Sequence, residues 1–371
     1  MKIDFVVWHV GGGGEDFGPI EKILQLEGVS FQVYLFELRD PEDSRVESIP
    51  IISAKPNIKL NVIPIGLAGK SEVRDFYINK FELSSSLLQP SSLTRTDNPG
   101  FSRWGGDYTK MLTWAENTEL KQSRKVKTVS VDEIVDSLVA PSPEILSMDI
   151  QGVEVEVLHG SEKAFQKSIL AVTTESEFFE IYAKQGLFYE QLKILEGKSF
   201  RFVKFFGFQK WYPGPMIGSG FTTVTESLFI KYLVHSSQLA NTAAKFQEFS
   251  TYTSMQIFKT SLISFAYGRY SYFYTCMNYL DEHDKSFLDS VEKSSELKRY
   301  YNFYDYIKSN INKLAENPNY FLENPVARSN SIRIQLTKKF YYVTDKLIAI
   351  FKLRGLIFKT DIHFSRFREM D

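Results

Sequence analysis

Apolar residues fall in short, nearly continuous blocks through the first 235 positions and at helical spacing after them. The first block, IDFVVWHV (Ile3–Val10), is rich in valine, too short for an independent helix, and ends in four glycines. It reads as a buried parallel strand. FGPIEKILQLEG follows, with Pro19 near a helix start, Ile20, Ile23 and Leu24 at helical spacing, and Gly28 as a stop. FQVYLFEL (Phe31–Leu38) predicts a second strand. Strand, glycine loop, helix and strand together form the first half of a nucleotide-binding α/β sheet.

Further strands are expected over 58–68 and 72–78. Residues 82–110 carry few periodic apolar positions and read as a long functional loop. VKTVSVDEIVDSL predicts a short strand and a helix opening near Ser130 or Asp132. EILSMDI (Glu144–Ile150) is another buried strand, followed by a short helix in VEVEVLHGSEKAF and a strand in SILAVTTESEFF. FRFVKFFGF and TESLFIKYLV supply two closing strands, which can pair antiparallel. Beyond 235 the segments 237–262, 263–293, 296–316 and 332–356 have helical character, with a Pro/Asn/Ser break at 317–331. The expected organisation is an α/β domain over 1–235 and an all-helical region over 236–371 that serves acceptor binding or self-association, as in a homo-oligomer.

Composition narrows the function. Hydrophobic residues are 43% and charged residues 24% of the 371, ordinary for a globular protein. A net charge of −1 argues against a dedicated nucleic-acid binder. Cys276 is the only cysteine, so no intrachain disulfide exists, and its aromatic surroundings mark it as core filler. No uncharged apolar run reaches membrane-spanning length, and the residues before the glycines do not read as a signal peptide. A cytoplasmic protein is the expectation. In residues 331–371 bases outnumber acids nine to four, and KLIAIFKLRGLIFKT sets bases among bulky apolar residues. That pattern suits peripheral contact with an anionic membrane surface, and equally a packed helix with solvated lysines.

Several positions can carry chemistry. Gly11 and Gly13 permit close backbone approach to a ligand, but the third glycine of a dinucleotide loop is replaced by Asp16, and no P-loop lysine follows. Glycines beside Glu15 and Asp16 suit a cofactor without phosphates, such as the cationic S-adenosylmethionine. Glu37, at the end of the second strand, can accept ribose hydroxyls. Asp149 ends an apolar strand, and Gly152 lets the chain turn at once into a helix, which places Asp149 at the crevice beyond the strand ends. Glu175 and Glu177 alternate onto one face of the neighbouring strand; together with Asp149 they could hold a cation or an acceptor hydroxyl, or raise one another's pKa. Of the two, Glu175 is expected at the site and Glu177 at the surface. Glu154 and Glu156 are expected to be solvated. No histidine or cysteine pair has metal-ligand spacing, so no metal site is expected. Arg103, Trp104 and Tyr108 offer a cation and aromatic faces for a sugar or a charged acceptor.

PEILSMDIQGVEVEVLHGSEKAF resembles the signature of FkbM-type S-adenosylmethionine-dependent methyltransferases, usually Lys-Ile-Asp-x-Glu/Gln-Gly-x-Glu-x-x-Val-Leu-x-Gly. VIPIGLAGKSEVRDFYINKFELSSSLLQPS resembles that family's strand, hairpin and Ser-Ser-Leu loop, and LAVTTESEFFEIYAKQGLFYEQLKILEGKSFRFV its Glu-x-x-Phe…Tyr segment. TESLFIKY resembles its closing strand, so the resemblance runs through most of residues 2–235. It implies a class I methyltransferase (Rossmann-like) fold: a mostly parallel sheet with flanking helices. It also implies S-adenosylmethionine as cofactor and O-methyl transfer to a hydroxyl of a saccharide or related natural product. His9, Gly11, Gly13, Glu37 and Ser86 would then hold the cofactor, Asp149 and Glu175 would be catalytic, and Arg103, Trp104 and Tyr108 would meet the acceptor. Two positions depart from the family pattern. His9 stands where an Asp is usual, and Ser147 where a Lys is usual. The first departure also motivates a non-catalytic binding protein on a degenerate fold, and the glycine loop alone would allow an NAD-dependent oxidoreductase.

Overall fold

The computed structural model describes residues 1–12, 17–38, 52, 55–91, 114–211, 221–234 and 247–316. The strands are β1 (Ile3–Gly11), β2 (Val29–Phe36), β3 (Ile58–Ile63), β4 (Gly66–Leu67), β5 (Glu72–Asn79), β6 (Leu120–Val129), β7 (Ile145–Asp149), β8 (Ala171–Glu177), β9 (Phe200–Trp211), β10 (Phe221–Lys231), β11 (Leu233–Val234) and β12 (Gln247–Glu248). The helices are α1 (Glu21–Leu24), α2 (Trp114–Asn117), α3 (Val131–Asp136), α4 (Glu154–His159), α5 (Glu162–Lys167), α6 (Phe188–Gly197), α7 (Ser254–Ala266), α8 (Tyr270–His283), α9 (Lys285–Lys293), α10 (Lys298–Ser309) and α11 (Ile311–Glu316).

Seven strands form the main sheet in the order β3-β2-β1-β7-β8-β10-β9. β10 runs antiparallel to both its neighbours, and the β3-β2-β1-β7-β8 run is parallel. This is the mostly parallel sheet with flanking helices expected of a Rossmann-like methyltransferase. Chain order reverses between β1 and β7, and in such sheets the ligand crevice opens beyond the strand ends at that point. A second sheet, β4-β6-β5, stands apart from the first. Arg74 on β5 ties it to α4 through Glu156, at 2.6 Å.

Both faces of the main sheet are covered, which is why its strands are continuous apolar blocks rather than alternating ones. On one face Trp8, Val10, Leu146, Met148, Val172 and Phe229 pack with the buried sides of α3 to α6. The other carries Phe5, Val7, Val33 and Leu35, all buried. The helical region supplies an anchor at the amino ends of the strands. Lys259 of α7 donates to Glu144, at 2.6 Å, and to the Asp4 carbonyl, while Glu144 accepts from Val6 N. At the opposite end Tyr267 Oη donates to the Pro19 carbonyl, 2.8 Å away, and so steadies the segment over the crevice.

The helical segments are shorter than their sequence spacing predicts. The segment expected over 263–293 breaks at Gly268, which has φ +69°, and again at Asp284. There the Asp284 carboxylate accepts from Phe287 N and caps α9. The segment expected over 237–262 begins in its described part as β12 and becomes helical only after Thr253, which forms a capping box with Gln256. The segment over 296–316 is divided at Asn310. The expected helix at 332–356 lies outside the described residues. Residues 1–300 form one compact unit, and the chain divides after Tyr300. Among the described residues no helix is long and apolar enough to cross a membrane.

Lys231, at the end of β10, is buried. Its Nζ donates to the carbonyls of Phe165 and Lys198. Burial, aided by the nearby charge of Lys198, pushes its pKa down to about 7. Between about pH 7 and the ordinary lysine range near 10.5, the unfolded chain therefore holds a proton that the folded chain lacks. Folding stability gained from this group rises with pH across that window and is flat below it. Urea unfolding of the wild type and Lys231→Met from pH 6.5 to 10 is expected to show the wild type gaining on the variant as pH rises. A pH-independent difference would contradict a neutral buried amine.

Candidate active site

The crevice is built from the β7–α4 turn. Asp149 ends β7, and the chain reverses through Gln151 and Gly152 at φ +58° and +102°. Glu154 holds this turn: its carboxylate accepts from the backbone N–H of Ile150 and of Gly152, each at 2.9 Å. Glu154 was expected to be solvated; it is fully buried because it caps the turn, and only Glu156 reaches solvent. Burial, with the Asp149 charge beside it, pushes the Glu154 carboxyl up to about 7, against its backbone hydrogen bonds.

Gln151 joins the acids. Its Nε2 donates to Asp149 Oδ1 at 2.7 Å and to Glu175 Oε2 at 2.8 Å. Its Oε1 accepts from Tyr182 Oη, which also reaches the Ser84 carbonyl. Ser86 Oγ donates to the Gln151 carbonyl at 2.7 Å, which pins the serine loop to the turn. A left-handed backbone at a non-glycine residue costs energy, and here four side chains hold it in place.

Glu175 lies opposite Glu226 in the antiparallel β8–β10 ladder. Burial, followed by the charges of Asp149, Glu177, Glu154 and Glu226, raises its pKa well above the carboxylate range. Glu177, expected at the surface, is instead fully buried, with the Gln185 side chain beside its carboxyl. All seven residues of β8 are buried, so alternation along that strand separates two covered faces rather than core from solvent. Burial and the charge of Glu154 raise the Glu177 pKa as well. Burial thus favours the neutral form of both carboxyls.

Two spaces open at the strand ends. The larger, a cavity of about 80 Å³ open to solvent, is bounded by Gly11, Gly12, Glu37, Ser86, Asp149 and Gln151, with apolar walls from Phe36, Leu38, Ile65 and Leu87. The smaller, a cavity of about 10 Å³ with room for one water-sized group, is bounded by His9, Ser147, Asp149, Thr173, Thr174 and Glu226 beneath Gly18 and Pro19. Asp149 is the one described residue that lines both. Gly11, on the wall of the larger space, has φ +77° and lies so close to β7 that a Cβ there would stand 2.1 Å from the Asp149 carbonyl oxygen.

His9, grouped by the sequence with the cofactor residues, faces the smaller space. Its Nδ1 lies 3.0 Å from Ser147 Oγ across the paired strands β1 and β7. The two departures from the family pattern are therefore one contacting pair. Since His9 is not on the wall of the larger space, its identity leaves that space's lining unchanged.

Gly11, Glu37 and Ser86 meet around the larger space, and Asp149 and Glu175 are joined by Gln151. Gly13, Arg103, Trp104 and Tyr108 lie outside the described residues. Gln151, Tyr182, Glu154 and Glu226 were not singled out from sequence; the Asp-x-Gln-Gly run was the available signal for Gln151. Among the described residues no group of His, Cys, Asp and Glu side chains has the arrangement of a metal site.

Residues 20–202 match the family model of the methyltransferase FkbM domain. That range includes Glu37, Ser86, Asp149 and Glu175 and begins after His9 and Gly11. No curated protein sequence matches the chain significantly. Among solved structures, the methyltransferase FkbM from Methylobacillus flagellatus KT is similar at 9% identity and a TM-score of 0.28, over 62% of this chain and 44% of that one. The chain thus spans less than half the length of that solved protein.

Proposed function

From the match of residues 20–202 to the methyltransferase FkbM domain, we propose that the protein transfers a methyl group from S-adenosylmethionine to a hydroxyl of a saccharide or related natural product. The observation that carries this reading is the position of Asp149 between the two spaces. The larger space suits the donor. Gly11 and Gly12 present bare backbone, Glu37 is a carboxylate for the ribose hydroxyls, and Phe36, Leu38 and Ile65 offer apolar faces for a purine. The smaller, polar space suits the group that receives the methyl.

Bound S-adenosylmethionine supplies a methyl on a positively charged sulfur; attack by the hydroxyl oxygen forms the C–O bond, returns the C–S electron pair to sulfur and frees the hydroxyl proton. The chain's residues then have two tasks. Gln151 fixes the Asp149 carboxylate by a 2.7 Å hydrogen bond, and that carboxylate takes the proton. Holding the acceptor beside the donor supplies the larger part of the rate, since the methyl is already activated.

Isothermal titration of the folded protein with S-adenosylmethionine tests the first step. Binding is expected, and Glu37→Gln is expected to weaken it roughly tenfold or more, the worth of a hydrogen bond to a charged group. No binding by folded wild-type protein would sink the proposal. Radiolabelled methyl transfer into fractionated host glycans then identifies the acceptor.

A further inference from the structure

Tyr182 lines neither space, yet its hydroxyl ends a chain of hydrogen bonds that begins at Asp149. The side chain is fully buried and is held from several sides. Gln185 Oε1 accepts from Tyr182 N at 2.6 Å, the backbone bridges to Pro90, and the Trp114 ring meets the phenol edge-on at 5.5 Å. Burial foremost raises the phenol's pKa well above its usual value, so the hydroxyl keeps the proton it donates.

The acceptors decide where that hydrogen goes. The hydroxyl has one hydrogen and two acceptors in reach, the Ser84 carbonyl at 2.8 Å and Gln151 Oε1 at 3.0 Å. The Ser84 carbonyl already accepts from Asn79 Nδ2 at 2.6 Å. Among the described residues, Gln151 Oε1 has Tyr182 as its donor and no other. A buried oxygen stripped of its one donor costs more than a carbonyl that loses a second, so the hydrogen belongs to Gln151. The amide then spends both of its own hydrogens on the acids, one on Asp149 Oδ1 and one on Glu175 Oε2.

Turned over, the amide would set its oxygen against Asp149. An oxygen there repels an ionised carboxylate and accepts only from a protonated one, which cannot take up the acceptor's proton. Resting on the methyl-transfer reading above, we infer that Tyr182 is a positioning residue for the transfer step: its hydroxyl anchors the Gln151 amide so that Nε2 stays on Asp149. The rival account is that Tyr182 only fills the buried cluster of Trp114, Ile181 and Val224. It predicts that removing the hydroxyl leaves Gln151 untouched.

Tyr182→Phe keeps the ring and removes the hydroxyl. The Gln151 side-chain amide is followed by heteronuclear NMR on the full-length protein labelled in glutamine, its signals assigned by their loss in Gln151→Leu. In the wild type its hydrogens are expected to exchange with water at least about tenfold more slowly than those of the exposed Gln166. Tyr182→Phe is expected to speed that exchange by about tenfold, the worth of the lost hydrogen bond. With the glycan fraction that takes up radiolabelled methyl, the same variant should lower kcat by about tenfold and leave the donor KM within about twofold. In a Gln151→Leu background it should change kcat by less than about twofold, because it acts through the amide. Exchange in the wild type as fast as at Gln166 overturns the inference, and that reading needs no variant to fold. So does exchange that Tyr182→Phe leaves unchanged, or an equal loss of kcat in both backgrounds. If no glycan fraction takes up methyl, the methyl-transfer reading fails, and the exchange rates still decide whether Tyr182 anchors Gln151.

Discussion

Asp149→Asn is expected to lower kcat for methyl transfer by roughly 10²–10⁴-fold, the range of a lost general base, or about 3–5 kcal/mol on the barrier. The argument is geometric. Asp149 lines both spaces, and Gln151 Nε2 holds its Oδ1 at 2.7 Å. Asn keeps the size and removes the proton acceptor, so donor affinity should change little while kcat falls. Glu175 makes the contrast. Burial foremost, then the neighbouring acids, raise its pKa well above the carboxylate range and favour its protonated form. Glu175→Gln resembles that protonated form and should lose far less at pH 7 than Asp149→Asn. Single-turnover rates with saturating donor measure both. A kcat for Asp149→Asn within a few-fold of wild type would remove Asp149 from the chemistry.

Gly11→Ala is expected to destabilise the fold and damage the donor space together. The residue has φ +77°, a region in which a side chain costs about 1–2 kcal/mol. Its Cβ would stand 2.1 Å from the Asp149 carbonyl oxygen and 2.6 Å from Ile150 Cγ2, so β1 and β7 must separate. Overpacking of that kind costs about 1–3 kcal/mol more. The sum, about 2–5 kcal/mol, is read by urea unfolding. Gly197→Ala is the control, because an added Cβ there meets nothing within 4 Å at the end of a helix. A loss below about 1 kcal/mol for Gly11→Ala, well under the sum of those two terms, would contradict the close packing of β1 on β7.

The sheet and the crevice were legible because the signals were local. Continuous apolar blocks ending in Gly11 or Asp149 are strands that stop at a turn, and the side chains at those stops reach the crevice. Ser86 was legible from its loop, and its hydroxyl holds the Gln151 turn. What was missed depends on contacts distant in sequence. Glu177 looks like a surface charge until β10 and the opposite layer cover it. Glu154 looks like an exposed helix-start acid until its carboxylate is seen to close the turn four residues back. Glu226 joins the site only through the antiparallel register that sets it beside Glu175. The helical segments failed at their ends, where Gly268, Asp284 and Asn310 interrupt patterns that apolar spacing alone continues.

His9 and Ser147 show how two odd positions can be one event. Each alone departs from the pattern the chain otherwise resembles. Placed opposite each other on β1 and β7, they form a hydrogen bond on the wall of the smaller space. Their chemistry therefore bears on what enters that space rather than on the wall shared by Gly11 and Glu37.

The central claim is that the larger space holds the methyl donor with Asp149 at its junction with the acceptor space. A crystal structure of the full chain grown with S-adenosylhomocysteine tests it most directly. The account predicts ligand density between Gly11, Glu37 and Ser86, with the ribose hydroxyls against the Glu37 carboxylate. Density at any other place on the chain, or an empty space at a saturating ligand concentration, would contradict it.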